Sequence, residues 1–484
     1  MSGYKNLAVN TALFAANAVA TRLMTFLLVP LYTYYMSAGE YGITDMSLTV
    51  ISLVTPLATL AVADAAVRFI IEDDSRKSEY AFIGFVVTLL SILIVAMLTP
   101  ALDLDVFGGL GKHKVFFLFA YSSSAFLQLC SEVARGMGEI KLIPICSGIS
   151  SMITGVSAFV LIGGCGMTVA GYFISVSVGP LVATCVYLTV GRIGARVLEG
   201  MRKVFAKDDI AKQIKELCVP MLRYALPLIP NSLFWWVGTS INRFFITGMI
   251  GIAASGLFAA AGKIPGLLNT AYSVFLQAWQ LSAFQESGKE GLDRFFSSVF
   301  RVLQAFISVL CSLISFLAPW VSMLFLQGEF YEAWPMMSVL LIANLMNVFN
   351  SFFGTVYTTT MHTSYIMKTT IVGAASCIAL TPALIPVLGI SGACVASAVS
   401  QALVFVVRAI DSRKYIHIEG GWPTLIATLA ALAMQSAVAV LQPSCWQLMS
   451  GACLVAIIVM QGLGLMRFVR HSGAWRKIGK IGRA

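Results

Sequence analysis

GRIGARVLEGMRKVFAKDDIAKQIKELCV, residues 191–219, is the one long polar stretch of an otherwise apolar chain. It holds Arg192, Arg196, Arg202, Lys203, Lys207, Lys212 and Lys215, with Glu199, Asp208, Asp209 and Glu216 among them. Leu198, Met201, Val204, Phe205, Ile210, Ile214 and Leu217 recur at roughly helical spacing. That pattern predicts a basic amphipathic helix lying on the inner membrane surface. Apolar stretches long enough to cross a bilayer lie on both sides, six before it and eight after it.

These stretches fall near 8–34, 44–71, 80–101, 115–134, 142–163, 167–190, 224–250, 254–283, 295–319, 334–360, 365–386, 389–410, 422–441 and 445–467. The expected fold is an all-α polytopic membrane protein of about 14 transmembrane helices. The linker sets the domain plan. An N-lobe of six helices takes 1–190, the linker 191–219, a C-lobe of six helices 220–415, and two extra helices with a basic tail 416–484.

Charge supports this count and orients it. With the N-terminus inside, nearly all of the 32 Lys and Arg fall at cytoplasmic loops or helix ends, as the positive-inside bias requires. Lys112 and Lys114 fall outside, while Arg22, Arg68, Arg243 and Lys263 lie within spans. Both termini are then cytoplasmic. The composition is 58% hydrophobic and 11% charged with mean hydropathy +0.86, far from the ~25% charged of a soluble domain. No soluble catalytic domain fits into the short loops that remain. The +10 net charge is spread over every inner loop, so it reads as orientation and attraction to anionic lipid headgroups, not as a nucleic-acid footprint.

The ten cysteines sit singly, with no CxxC and no zinc spacing, and His113, His362, His417 and His471 form no cluster. No metal site, cofactor or catalytic constellation is expected. The first apolar run exceeds a signal-peptide core and lacks a small-residue cleavage site, so it is read as a retained helix.

The two halves share weak similarity. Arg22 is followed by an outer turn with Gly39-Glu40-Tyr41-Gly42 and a helix with Pro56; Arg243 is followed by an outer turn with Ser255-Gly256-Leu257-Phe258 and a helix with Pro265. Two parallel six-helix lobes facing one another would enclose a cavity that opens to either side. That arrangement favours a transporter over a membrane enzyme. Pro30, Pro56, Pro227, Pro230 and Pro265 are the points where its helices would bend.

Asn10-Thr11, Arg22, Pro30-Leu31-Tyr32, Glu40-Tyr41-Gly42, Pro56 and Arg68-Phe69 resemble the opening of bacterial polysaccharide flippases. Asn242-Arg243-Phe244-Phe245-Ile246, Gly256-Leu257-Phe258, Gly262-Lys263-Ile264-Pro265 and Gln277-Ala278-Trp279-Gln280-Leu281-Ser282-Ala283 do so as well. These flippases, O-antigen flippases among them, belong to the multidrug/oligosaccharidyl-lipid/polysaccharide exporter superfamily, whose six-helix lobes form a V. Many members carry Asp before the Arg of the second lobe; here that position is Asn242, so this charge pair is absent.

The resemblance implies movement of an undecaprenyl-pyrophosphate-linked oligosaccharide from the inner to the outer leaflet of a bacterial cytoplasmic membrane. Such cargo needs cations at its diphosphate, and arginine's planar fork suits phosphate. An uncompensated Arg in the bilayer costs roughly 3 to over 10 kcal/mol, so it needs water or an anion beside it. Arg22, Arg243 and Lys263 are the candidate diphosphate ligands. Arg68, near Asp64 and Glu72, is a fourth for which an i,i+4 ion pair competes. Gln277, Trp279, Gln280 and Asn242 are candidate glycan contacts, with packing the competing role for Trp279. Asp64 and Glu132 are the acids placed to carry a coupling H+ or Na+, with an Arg135 ion pair competing for Glu132. A polymerase or chain-length regulator is a possible protein partner. The alternatives are a drug or small-cation exporter of the same fold and a membrane glycan polymerase or glycosyltransferase.

Overall fold

A computed structural model describes residues 21, 24–286, 288–362, 364–419 and 421–472. Arg22 and most of the first expected span lie outside the described residues. So do residues 473–484 of the tail. Nineteen α-helices and no strand occur among those described. Eleven helical segments are long and apolar enough to cross a membrane by length and composition, and the protein is a multi-pass membrane protein. Each expected stretch from 44–71 onward coincides with one helix or with two consecutive ones. Among the described residues the expected count of fourteen is not confirmed. Two helices of 23 residues, α5 (Lys114–Gly136) and α13 (Lys263–Gln285), are long enough but too polar to be among the eleven.

The chain divides into two compact units, Met1–Ala259 and Ala260–Ala484. This partition by packing falls within α12 (Ile252–Ala261).

In the first unit a short helix, α1 (Val29–Tyr35), begins with Pro30, whose missing N–H is harmless in a first turn. α2 (Ala38–Ala58) opens with a capping box. Glu40 N–H donates to Ser37 Oγ (3.3 Å) and Ser37 N–H donates to Glu40 Oε2 (2.9 Å). Glu40 also accepts from Thr168 Oγ1 at 2.6 Å, tying this helix start to that of α7 (Val169–Thr189). The stretch 44–71 was expected as one helix and is two. Pro56 weakens the last turn of α2, and Leu60 and Ala61 take left-handed φ of 51° and 50° before α3 (Val62–Glu72) begins. Two consecutive non-glycine residues in that region are strained.

α4 (Lys77–Leu98), α5, α6 (Leu142–Ala158) and α7 follow in this unit. The linker forms two helices, α8 (Ile193–Phe205) and α9 (Ile210–Ala225). The polar run Lys207-Asp208-Asp209 separates them, and Asp209 Oδ1 caps α9 by accepting from Lys212 N–H (2.9 Å). The linker lies against its own unit. Ile193, Val204, Leu217 and Met221 join a core with Ile70, Tyr80, Val133 and Tyr187. Gly200 meets the Ser78 carbonyl so closely that a Cβ would overlap it. Buried Gln213 donates to buried Glu79 at 2.7 Å. Leu198 and Phe205 stay exposed on the other side. There Lys203 Nζ, 2.8 Å away, holds the Glu199 carboxyl below its ordinary pKa.

The second unit centres on α13, α14 (Leu292–Phe325), α15 (Trp334–Thr359), α16 (Ser364–Leu388) and α17 (Ile390–Asp411). Its core is aromatic. Phe296, Phe300, Phe349, Phe352 and Phe353 are fully buried, with Phe405 against Phe349 at 5.6 Å between ring centres. The two additional helices, α18 (Trp422–Leu441) and α19 (Trp446–Ser472), pack on α14 and α15. Buried amides serve as connectors, since Gln435 accepts from Ser312 Oγ (2.7 Å) and donates to Ser450 Oγ (3.1 Å).

Arg408, at the end of α17, is 8% exposed. It donates to Thr369 Oγ1 (2.9 Å), the Asn350 carbonyl (2.7 Å) and Thr370 Oγ1 (3.4 Å). Asn350 in turn donates to Gln401 Oε1 (2.9 Å), and Asn269 donates to Asn344 Oδ1, so Asn344 and Asn350 join α15 to neighbouring helices. Arg408→Met keeps the volume and strands these acceptors. The loss expected is about 3 kcal/mol, read as a lower thermal unfolding midpoint in detergent.

Candidate functional site

Two short helices follow α9 in the first unit, α10 (Leu228–Ser240) and α11 (Asn242–Met249). They interrupt the stretch expected as one span at 224–250, and with α12 they lie along α2. Trp236 anchors this contact, its indole N–H donating to the Thr49 carbonyl and to Ser52 Oγ, both at 3.1 Å. One turn back along α2 from Thr49, Asp45 Oδ2 accepts from Arg243 Nε at 2.5 Å. The Arg243 side chain is 22% exposed and that of Asp45 6%. The guanidinium also lies 5.9 Å from the Phe258 ring centre.

The charge pair that Asn242 cannot form with its neighbour is thus made to another helix, 198 residues away in sequence. Asp45 was not among the expected site residues. It has no basic residue within one helical turn, and neither does Arg243 an acidic one. Two unbalanced charges in apolar helices each call for a partner, and this was the signal that could have joined them.

Beyond the pair, at the end of α2 that the charge bias assigns to the outer face, the two turn motifs meet. A Cβ on Gly256 would overlap the Ala38 carbonyl, and one on Gly42 would overlap the Ile252 carbonyl. The connection before α5 closes the same corner, with Phe107 edge-on to Phe244 at 5.6 Å between ring centres. Asn242 is buried here. The arrangement is a close-packed corner that contains the Asp45–Arg243 ion pair.

Asp64 and Glu132 are brought together. Arg135 Nη1 donates to Glu132 at 3.0 Å, and Asp64 interacts electrostatically with both. Arg68 stands apart on α3. It is half-exposed and paired with Glu72 at 3.4 Å, the i,i+4 geometry weighed from the sequence.

In the second unit Lys263 opens α13 and is half-buried. Gln277 is exposed and Gln280 half-buried on the same helix. Trp279 is 3% exposed, stacks on Phe352 at 4.9 Å and donates to Thr355 Oγ1 at 3.0 Å. Among the described residues no group of His, Cys, Asp or Glu is gathered to hold a metal ion.

The family model described as polysaccharide biosynthesis protein matches residues 7–280, which contain α1–α12, the ion pair and both turn motifs. The chain belongs to this family. No curated protein matches the chain. Several solved structures share the fold of this family member at low identity. The lipid II flippase MurJ in an inward closed conformation is 12% identical, covering 95% of this chain and 99% of its own, with a TM-score of 0.68. An inward-facing multidrug resistance MATE transporter of the MOP superfamily is 15% identical, covering 83% and 98%, with a TM-score of 0.63. A MOP superfamily transporter from Pyrococcus furiosus, described as having a binding pocket of reversed polarity, is 14% identical, covering 84% and 96%, with a TM-score of 0.58.

Proposed function

We propose that the protein is a flippase. It carries an undecaprenyl-pyrophosphate-linked oligosaccharide from the inner to the outer leaflet of a bacterial cytoplasmic membrane, supplying repeat units for an O-antigen, capsule or exopolysaccharide. Membership of a polysaccharide biosynthesis family on a transporter fold supports the class. The observation that carries the mechanism is Arg243 held by Asp45 inside a glycine-packed corner.

In the state with this corner closed, Asp45 neutralises Arg243. Opening separates the two, and the cargo diphosphate takes over the guanidinium, so that cargo makes good the charge imbalance that opening creates. Arg22, Lys263 and Arg68 are the further cations offered to the diphosphate. Gln277, Trp279, Gln280 and Asn242 are offered to the glycan, and the Asp64–Glu132 cluster to a coupling H+ or Na+. A second reading, an exporter of cationic compounds, is favoured by the acids Asp45, Asp64 and Glu132 and by the MATE-like fold.

Depleting the protein and measuring polyprenyl-linked sugars by mass spectrometry, with an impermeant oxidant reporting sidedness, tests these readings. The expected result is a complete oligosaccharide trapped on the inner leaflet. A complete unit accumulating outside would overturn the proposal in favour of polymerisation, a truncated one in favour of glycosyl transfer, and no change in favour of the cation exporter.

A further inference from the structure

A separate cavity of about 510 Å³ lies in the second unit, where α14 begins and α19 ends. Its lining includes Arg294 and Arg301 of α14, Arg467 and Phe468 of α19, and His417 and Glu419 from the connection into α18. The connection is pinned to α14, His417 N–H donating to Asp293 Oδ1 (3.1 Å) and Glu419 N–H to Ser297 Oγ (2.8 Å). The Asp293 carboxylate is therefore engaged in building the wall. Arg301 is held in place, with Nε donating to the Glu419 carbonyl (2.7 Å) and its guanidinium carbon 4.4 Å from the Phe468 ring centre. Arg294 is exposed and has no acidic partner among the described residues.

A smaller recess of about 100 Å³ shares Arg301 and Arg467 with this cavity and continues past Thr424 and Gln461 to Gln304. Gln304 is 2% exposed, and its Oε1 accepts no hydrogen bond. A buried amide oxygen without a donor is costly, and here it lines the same recess as Arg301 and Arg467. The combination is cations and an unmet buried acceptor around one space.

We propose that this cavity binds a phosphate ester. Arg294, Arg301 and Arg467 take the phosphate, and a hydroxyl of the ester's alcohol donates to Gln304 Oε1. Three guanidiniums against the Asp293 and Glu419 carboxylates leave a positive site suited to a phosphoglycerol group. Its volume lies within the ordinary range for a small-molecule site, about 300–1,000 Å³. Both an anionic lipid headgroup and a soluble phosphate ester carry this chemistry. The site is distinct from the ion-paired corner of the first unit and does not depend on what the protein transports.

The test is native mass spectrometry of the delipidated full-length protein, adding back phosphatidylglycerol, phosphatidylcholine or glycerol phosphate. Wild type should retain phosphatidylglycerol about tenfold better than phosphatidylcholine, and Arg294→Gln/Arg301→Gln should lose that preference. Gln304→Leu should weaken phosphatidylglycerol and leave phosphatidylcholine unchanged. Phosphatidylglycerol bound in the presence of glycerol phosphate identifies the lipid headgroup as ligand. Glycerol phosphate bound by wild type but not by the double variant identifies a soluble ester. Equal retention of the two lipids with no glycerol phosphate adduct, or adducts unchanged in the variants, overturns the proposal. Arg294→Gln alone removes an exposed side chain and leaves every Arg301 contact in place. It therefore tests the site even if the double variant unfolds.

Discussion

Arg243→Ala and Asp45→Ala are each expected to abolish surface glycan and to lower the thermal unfolding midpoint. Removing one member breaks a buried ion pair, at a cost of about 3–5 kcal/mol, and Asp45 is 6% exposed. The double variant Asp45→Asn/Arg243→Gln removes both charges and keeps both shapes, so its unfolding midpoint should return close to that of the wild type. Glycan export should not return with it, because the diphosphate would still lack its guanidinium. Arg243→Lys keeps the charge without the fork and should rescue only in part. Recovery of export in the neutral double variant would sink the exchange mechanism and leave the pair a purely structural element.

Gly256→Val should reduce export at least about tenfold by overpacking a backbone contact. The added carbons would meet the Ala38 carbonyl, which is backbone at the start of α2 and cannot rotate away. Gly42→Val meets the Ile252 carbonyl in the same way. Both changes wedge α2 from α12 beside the Asp45–Arg243 pair. Gly266→Ala on α13, where nothing lies within 4 Å of an added Cβ, is the control and should export normally. A cysteine placed at Ser255, fully buried in this corner, reports the cause. It should resist an impermeant maleimide alone and react when combined with Gly256→Val. Unchanged labelling together with unchanged export would show that the corner tolerates the wedge.

Much of the architecture was legible because bilayer-length apolar runs and inner-loop cations are strong local signals. The linker's amphipathic pattern likewise pointed to helix, and Val204 and Leu217 on its apolar side are core residues. What was not legible depends on partners distant in sequence. The break at Leu60 and Ala61 carries no glycine to announce it. The Asp45–Arg243 pair joins residues with no local relation, whereas Arg68–Glu72 and Arg135–Glu132 follow helical spacing and could be weighed in advance. Arg408 reads as one more cation at an inner helix end, although its hydrogen bonds are to α15 and α16. Trp279 shows the converse. A Trp between two Gln reads as polar recognition, but only the neighbouring helices reveal that its indole is stacked away in the core.

The polarity of α5 and α13 bears on the order in which the protein can be assembled. A segment leaving the ribosome is admitted to the bilayer according to its own hydrophobicity, and a helix rich in serine and amide side chains gains little by entering alone. α5 meets α3 and α4, which are synthesised before it, but packs most extensively on α7, which is made later. α13 packs principally on α15, which is made later. In both units, therefore, a polar helix must wait at the insertion machinery for a partner not yet synthesised, although α5 finds part of its packing already in place.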